Sequence, residues 1–352
     1  MSRRMITANR EIFTALDQFC ATRGTALQNA GKPRWIASEP KHRDFLKDAT
    51  LGDTISFSAG RKLARFDHSA RSFLCTVGFD QEIFSSGTLE VDLDPAFLTV
   101  ALYELKPRPL GSVSNIRDVV EFSDKEADSS YTGHLFDGLA SLFPSVRFFE
   151  VPFRTPEQTW SFFFRTCIDE CEFGPSWIEK DLADTLRSMC DLDAERIPYR
   201  VLCRSIFDGD ISSFFLAQYR CLEALYAYSS AKDLINALGL KQSWDEVATV
   251  LEDKLGWHPR EEGSLIKLLS FASDLDLRLV FDATGRDAAV EEYANLTSTA
   301  AKRVYGLRNS IVHYRPAQHS LRTEVIDWIS VCKAMAGIII DVYHGVFIDK
   351  IP

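Results

Sequence analysis

The chain has 352 residues, 46% hydrophobic and 26% charged, with 18 glycines and 13 prolines, which excludes a collagenous, low-complexity or wholly disordered chain. The formal net charge of -10 and pI of about 5.3 exclude a surface that is basic throughout. They leave room for a local nucleic-acid site, because binding depends on where the cations lie.

At ~100–200 residues per domain the length suggests two domains. A helix is predicted from Ala8 to Cys20. From Gly52 to Phe153 the pattern is β. Thr54–Phe57, Phe73–Phe79, Thr88–Leu93, Phe97–Leu105, Val119–Phe122 and Val146–Phe153 are rich in β-branched and aromatic residues. Turn signals such as Asp94-Pro95, Lys106-Pro-Arg-Pro109 and Gly111-Ser112 separate them. Ser123–Ser130 is a polar loop. From Pro156 onward the pattern is helical. Pro156–Cys171, Ser176–Cys190 and Ile197–Phe207 form three connector helices. Ile211–Ser229 places Phe215, Tyr219, Leu222 and Tyr226 on one stripe. Ser243-Trp-Asp-Glu246 is a capping box opening a helix that Gly256 closes. Leu265, Leu268, Leu269 and Ala272 mark a short amphipathic helix. Two long stripes follow, Val290 to Ile311 and Val325 to Val346, with a Pro-containing turn between them. They predict an antiparallel hairpin within a bundle. The fold class is therefore α+β: a β-rich domain with an N-terminal helix over 1–155, a helical connector over 156–208 and an all-α bundle over 209–352.

No export signal is expected, since Met-Ser-Arg-Arg-Met is not followed by an apolar region. The apolar run Ala334–Ile340 stops at Asp341, short of the ~20 residues that span a bilayer. No membrane segment is expected, and the location is read as cytoplasmic. The eight cysteines are scattered singly, as buried reduced thiols of a cytosolic protein. Cys167 and Cys171 are one helical turn apart without two further ligands at similar spacing, so no metal site is expected. Walker, GxGxxG, GxSxG and HExxH signatures are absent, and no cofactor is expected.

The turn between the last two helices runs Tyr305-Gly-Leu-Arg-Asn-Ser-Ile-Val-His-Tyr-Arg-Pro316. Its Arg308, Asn309 and His313 resemble the motif of the HEPN superfamily: Arg, a polar residue, then His a few positions on. Tyr219-Arg-Cys-Leu-Glu223 is similar to an aromatic-x-x-Leu-Glu pattern of the abortive-infection, ApeA-like branch. The resemblance covers about residues 211–347. It implies a HEPN-type bundle and a metal-independent endoribonuclease whose cleft forms between two protomers, hence a homodimer, and a toxin-like effector in prokaryotic antiphage defence. The residue types suit that chemistry. His titrates near neutrality and can take a proton from a 2′-hydroxyl. Arg stays charged and grips phosphate oxygens. Asn309 could hold a phosphate oxygen or orient the His. On one continuous helix Arg308 and His313 would lie about 140° apart. Pro316 disfavours helix at Arg315, so the helix is expected to end near His313.

Local charge agrees with a phosphate site. Between Tyr293 and Thr323 the basic residues are Lys302, Arg303, Arg308, Arg315 and Arg322, with no Asp or Glu. Lys302, Arg303, Arg315 and Arg322 are the expected RNA contacts, tRNA or mRNA being undecided. Glu223 shares the stripe of Tyr219, and either reaches water at the edge or orients Arg308 or His313, with Tyr219 in support. His42, His68, His134, His258 and His344 lack partners at catalytic spacing and are expected to be structural. The alternative is a non-catalytic HEPN module that dimerises or docks RNA or protein. A third reading, activity in the β-rich domain, has no catalytic cluster in residues 51–155. That domain is expected to be a sensor or regulator for an activating ligand or a phage protein.

Overall fold

The structure is a computed structural model and describes residues 5–82, 87–122, 131–152, 155–192, 196–284, 295–313 and 326–347. It is mixed α+β, with a five-stranded antiparallel sheet in the N-terminal half and helices mostly beyond it. The chain divides into two compact units, Met1–Thr159 and Trp160–Pro352.

In the first unit, α1 (Met5–Ala21) and α2 (Pro40–Asp48) precede β1 (Thr50–Ser56), β2 (Lys62–His68), β3 (Arg71–Val77) and β4 (Leu89–Val91). Three helices follow, α3 (Pro95–Leu105), α4 (Val113–Val120) and α5 (Phe136–Ala140), before β5 (Val146–Val151). The strand order is β1-β2-β3-β5-β4. Registers such as Phe66 opposite Phe73 and Cys75 opposite Phe148 bring large apolar side chains together. Together with α1 and α3 they close one core.

Two predicted strands are helices. Phe97–Leu105 lies in α3. Asp94, read as a turn residue, is its N-cap and accepts from the amides of Ala96 and Phe97 at 2.8 Å. Pro95 occupies the first turn, where its missing N–H costs nothing. An apolar run buried on all sides carries no period that separates strand from helix. Val119–Phe122 likewise begins in the last turn of α4, which Ser112 caps through the amide of Asn115 at 3.2 Å. Among the elements that escaped prediction are β2, α5, and α2, whose N-terminus His42 closes by accepting the Glu39 amide at 3.0 Å. The loop Ser123–Ser130 lies outside the described residues.

The second unit takes in most of α6 (Pro156–Phe173), then α7 (Lys180–Met189), α8 (Tyr199–Ser205), α9 (Ile211–Glu223) and α10 (Tyr228–Leu238). It continues through α11 (Trp244–Leu255), α12 (Glu261–Leu269), α13 (Asp274–Ala283), α14 (Leu296–Val312) and α15 (Trp328–Phe347). The capping box at Ser243 and Glu246 is formed, and Gly256 closes α11 at φ 60°.

α14 and α15 are not the expected hairpin. α14 packs on α12 and α13, whereas α15 packs on α7, α9 and α13. The helix they chiefly share is α13. A glycine on α15 makes the approach of α13 possible: a Cβ at Gly337 would stand 2.5 Å from the Asp276 carboxylate. Burial holds that carboxyl above its usual range, with Asp341 adding to the effect and the Ser273 hydroxyl and Lys333 opposing it. Alanine in a helix interior ordinarily gains up to about 1 kcal/mol over glycine. Here Gly337→Ala is expected to lower the thermal midpoint, and in an Asp276→Ala background to raise it. Equal shifts in both backgrounds, read by calorimetry, would show that the carboxylate does not control this approach.

The run ending at Asp341 also behaves differently from the expectation. α15 continues through Asp341 for 20 residues, with mean hydropathy 1.4, long and apolar enough to cross a membrane by length and composition. In this fold its sides carry α7, α9 and α13, and Asp341 accepts the Ser273 amide at 2.8 Å. All eight cysteines are free and buried.

Candidate functional site

The site is built from two helices distant in sequence. Asp210 caps α9 by accepting the Ser212 amide at 3.0 Å. That helix carries Tyr219 into the core and ends on Glu223, half-buried at its edge. α14 brings Arg308 to the same place. Arg308 Nη2 lies 3.4 Å from Glu223 Oε1, and Nη1 donates to Asn309 Oδ1 at 3.0 Å. The guanidinium carbon is 5.9 Å from the Tyr219 ring centre. The structure thus joins Tyr219, Glu223, Arg308 and Asn309. Glu223 does both things left open by the sequence: it faces Arg308 and remains 31% exposed, while Arg308 is 20% exposed.

Tyr219 holds the back of the site. The Tyr226 hydroxyl meets its hydroxyl at 2.5 Å in the buried interior. Burial pushes the Tyr219 phenol up to about 12, with the Tyr226 contact opposing and the Glu223 charge adding. It is therefore protonated at neutral pH and supplies a ring face and a hydroxyl, not a base.

His313 is the C-cap residue of α14, at φ -111° and ψ 97°, and its amide donates to the Asn309 carbonyl at 2.9 Å. The helix ends where the sequence placed its end. The imidazole is exposed, and among the described residues no hydrogen bond or ion pair links it to Arg308. Asn309 is thus engaged twice, by its side chain with Arg308 and by its carbonyl with the helix end.

The basic window is less uniform than the sequence implies. Lys302 is exposed. Arg303 is committed elsewhere: it donates to the Phe281 carbonyl at 3.3 Å and the Thr284 hydroxyl at 3.0 Å, with its guanidinium carbon 4.1 Å from the Phe281 ring centre. It closes the C-terminus of α13, where carbonyls lack helical partners. Arg315 and Arg322 lie outside the described residues, as does Pro316.

One feature beside the site escaped the sequence. Glu223 opens onto a cleft of about 520 Å³ that Arg196, Trp244, Trp257 and His258 also line. Arg196 Nη2 pairs with Asp245 at 2.6 Å and its guanidinium carbon stands 5.0 Å from the Trp244 ring centre. His258 is exposed there, 3.8 Å from Glu252. These residues come from a loop, the start of α11 and the segment after it, so no single stretch of chain signals them. Only the capping box at Ser243 was legible.

Comparison of the chain with protein-family models, curated proteins and solved structures finds no match.

Proposed function

We propose that the chain is a metal-independent endoribonuclease of HEPN type, acting as a homodimer and as a toxin-like cytoplasmic effector in antiphage defence. The observation that carries this reading is the convergence of Glu223 and Tyr219 on Arg308 and Asn309 across 85 residues of sequence. A surface arginine with no role needs no carboxylate, amide and ring arranged around it. In the reaction His313 takes the proton of a 2′-hydroxyl, whose oxygen attacks the adjacent phosphorus. Arg308 stabilises the added charge of the phosphorane, and the 5′-oxygen leaves with a proton, giving a 2′,3′-cyclic phosphate and a 5′-hydroxyl. Glu223 and Asn309 fix the guanidinium so that little reorganisation is needed at the transition state.

Among the described residues no hydrogen bond or ion pair joins His313 to Arg308 within one protomer, which suits a cleft completed by a second copy. The first unit, in which the described residues form no such constellation, would serve as the regulator. The second reading, a non-catalytic HEPN module that docks RNA or protein, draws on the same ion pair: an Arg308 already matched by Glu223 has part of its charge answered. The test is incubation of wild type and His313→Ala with total RNA, followed by sequencing of the cut ends. Cleavage ending in 2′,3′-cyclic phosphates is expected from wild type alone, with or without EDTA. Equal cleavage by a folded His313→Ala protein would refute the assignment of the base.

A further inference from the structure

A deep cleft lies in the first unit, far from Arg308 in sequence. It measures about 890 Å³ and runs between α1, the segment 31–38 and α2, within the range of small-ligand sites. Its lining is basic in an acidic chain. It includes Arg10, Lys32, Arg34, Arg43 and Lys47, with Asp17 and Asp44 as the acidic residues of the lining.

Arg34 sits at the floor, with its side chain 1% exposed. Nη2 donates to both oxygens of Asp17, at 2.6 and 2.5 Å. Asp17 in turn accepts the Gly31 amide at 3.2 Å, which ties the segment to α1. Nε and Nη1 are buried with no hydrogen-bond partner among the described residues. A guanidinium presents five donors, and donors left unmet in the interior are costly. The Arg34 charge is only partly answered by Asp17 and adds to the positive field at the cleft floor.

The next residue supplies a second kind of contact. Trp35 lines the cleft and remains 38% exposed, yet its ring is fixed. Its Nε1 donates to the Thr132 carbonyl at 3.2 Å, and Tyr131 meets it edge-on at 4.4 Å. Gly133 passes so close behind that a Cβ there would stand 2.7 Å from the indole, and its φ of +103° also requires glycine. A large aromatic surface is thereby held rigid at the mouth of a cationic cleft. Rigid aromatic faces accept planar rings at low entropic cost.

We propose that this cleft binds a small nucleoside phosphate, with its base against Trp35 and its phosphate drawn to Arg34 and the exposed cations Arg43 and Lys47. Neither half of the ligand suffices. A free phosphate leaves the ring face bare, and a neutral nucleoside leaves the cations unanswered. The inference does not rest on the ribonuclease reading, since it concerns only the first unit.

The test is calorimetric titration of the full chain with AMP, GMP, CMP and UMP, with inorganic phosphate and adenosine as the two halves, and with a short 5′-phosphorylated RNA. At least one mononucleotide should bind with a dissociation constant below about 1 mM. Phosphate and adenosine should each bind at least about tenfold more weakly. Trp35→Ala, and separately the exposed pair Arg43→Glu with Lys47→Glu, should each weaken mononucleotide binding roughly tenfold or more. If Trp35→Ala loses its folded circular dichroism signal, the charge-reversed protein decides the matter. Absence of binding by all four mononucleotides would overturn the proposal. So would affinity unchanged in the charge-reversed protein, or binding confined to the RNA.

Discussion

Arg308→Ala should lower RNA cleavage by roughly two to three orders of magnitude, the loss ordinarily seen when one preorganised charge-stabilising donor is removed. The folded state should change little. The Arg308–Glu223 pair is half-exposed, with its nearest atoms 3.4 Å apart, and exposed ion pairs contribute about 0–1 kcal/mol to stability. Catalysis and stability are therefore separable at this position. Glu223→Gln retains shape and one acceptor oxygen but loses the charge, and a smaller loss, on the order of tenfold, is expected from a residue that positions rather than reacts. The measurement is initial cleavage rate against a thermal melt for each protein. Wild-type rates in a folded Arg308→Ala protein would remove the phosphate-stabilising role, and the non-catalytic reading would stand.

The largest loss of stability should come from the first unit. Phe148 is wholly buried, with ring centres of Phe97 at 4.5 Å and Phe66 at 5.8 Å. It stands opposite Cys75 on the central strand pair and joins the sheet to α3. Removing such a ring costs about 3–5 kcal/mol, transfer and cavity together, against a total stability of about 5–15 kcal/mol for a domain. Phe148→Ala is expected to shift the urea midpoint of the first unit strongly downward. An unchanged midpoint would mean that Phe66 and Phe97 close over the gap.

Legibility in the sequence followed the range of the interactions. Helix ends governed by neighbours were readable: Ser243 with Glu246, Gly256, and the end of α14 at His313. Asp94-Pro95 was a local signal too, but a turn and an N-terminal cap share its chemistry, and the apolar run behind it has no period to decide between them. The packing of α15 on α13 depends on Gly337 meeting Asp276, and that is set in three dimensions. At the candidate site, residue types were legible because phosphate chemistry calls for Arg and His. The partnership of Glu223 with Arg308 was one of two readings, and the diversion of Arg303 to the end of α13 was invisible. The cleft above Arg34 was illegible because three separate segments contribute its cations.

The buried cysteines have a practical consequence. Alkylating reagents attack the thiolate, and burial pushes the thiols of Cys75, Cys167, Cys190, Cys221 and Cys332 upward, so that these groups are protonated as well as shielded. Cys20 and Cys75 belong to the first unit and the other six to the second. Each sulfur is thus a clock that starts only when its surroundings open. Pulsed iodoacetamide labelling followed by intact mass would resolve the order in which the units come apart: an early gain of two adducts marks opening of the sheet-bearing unit, and an early gain of six marks opening of the helices.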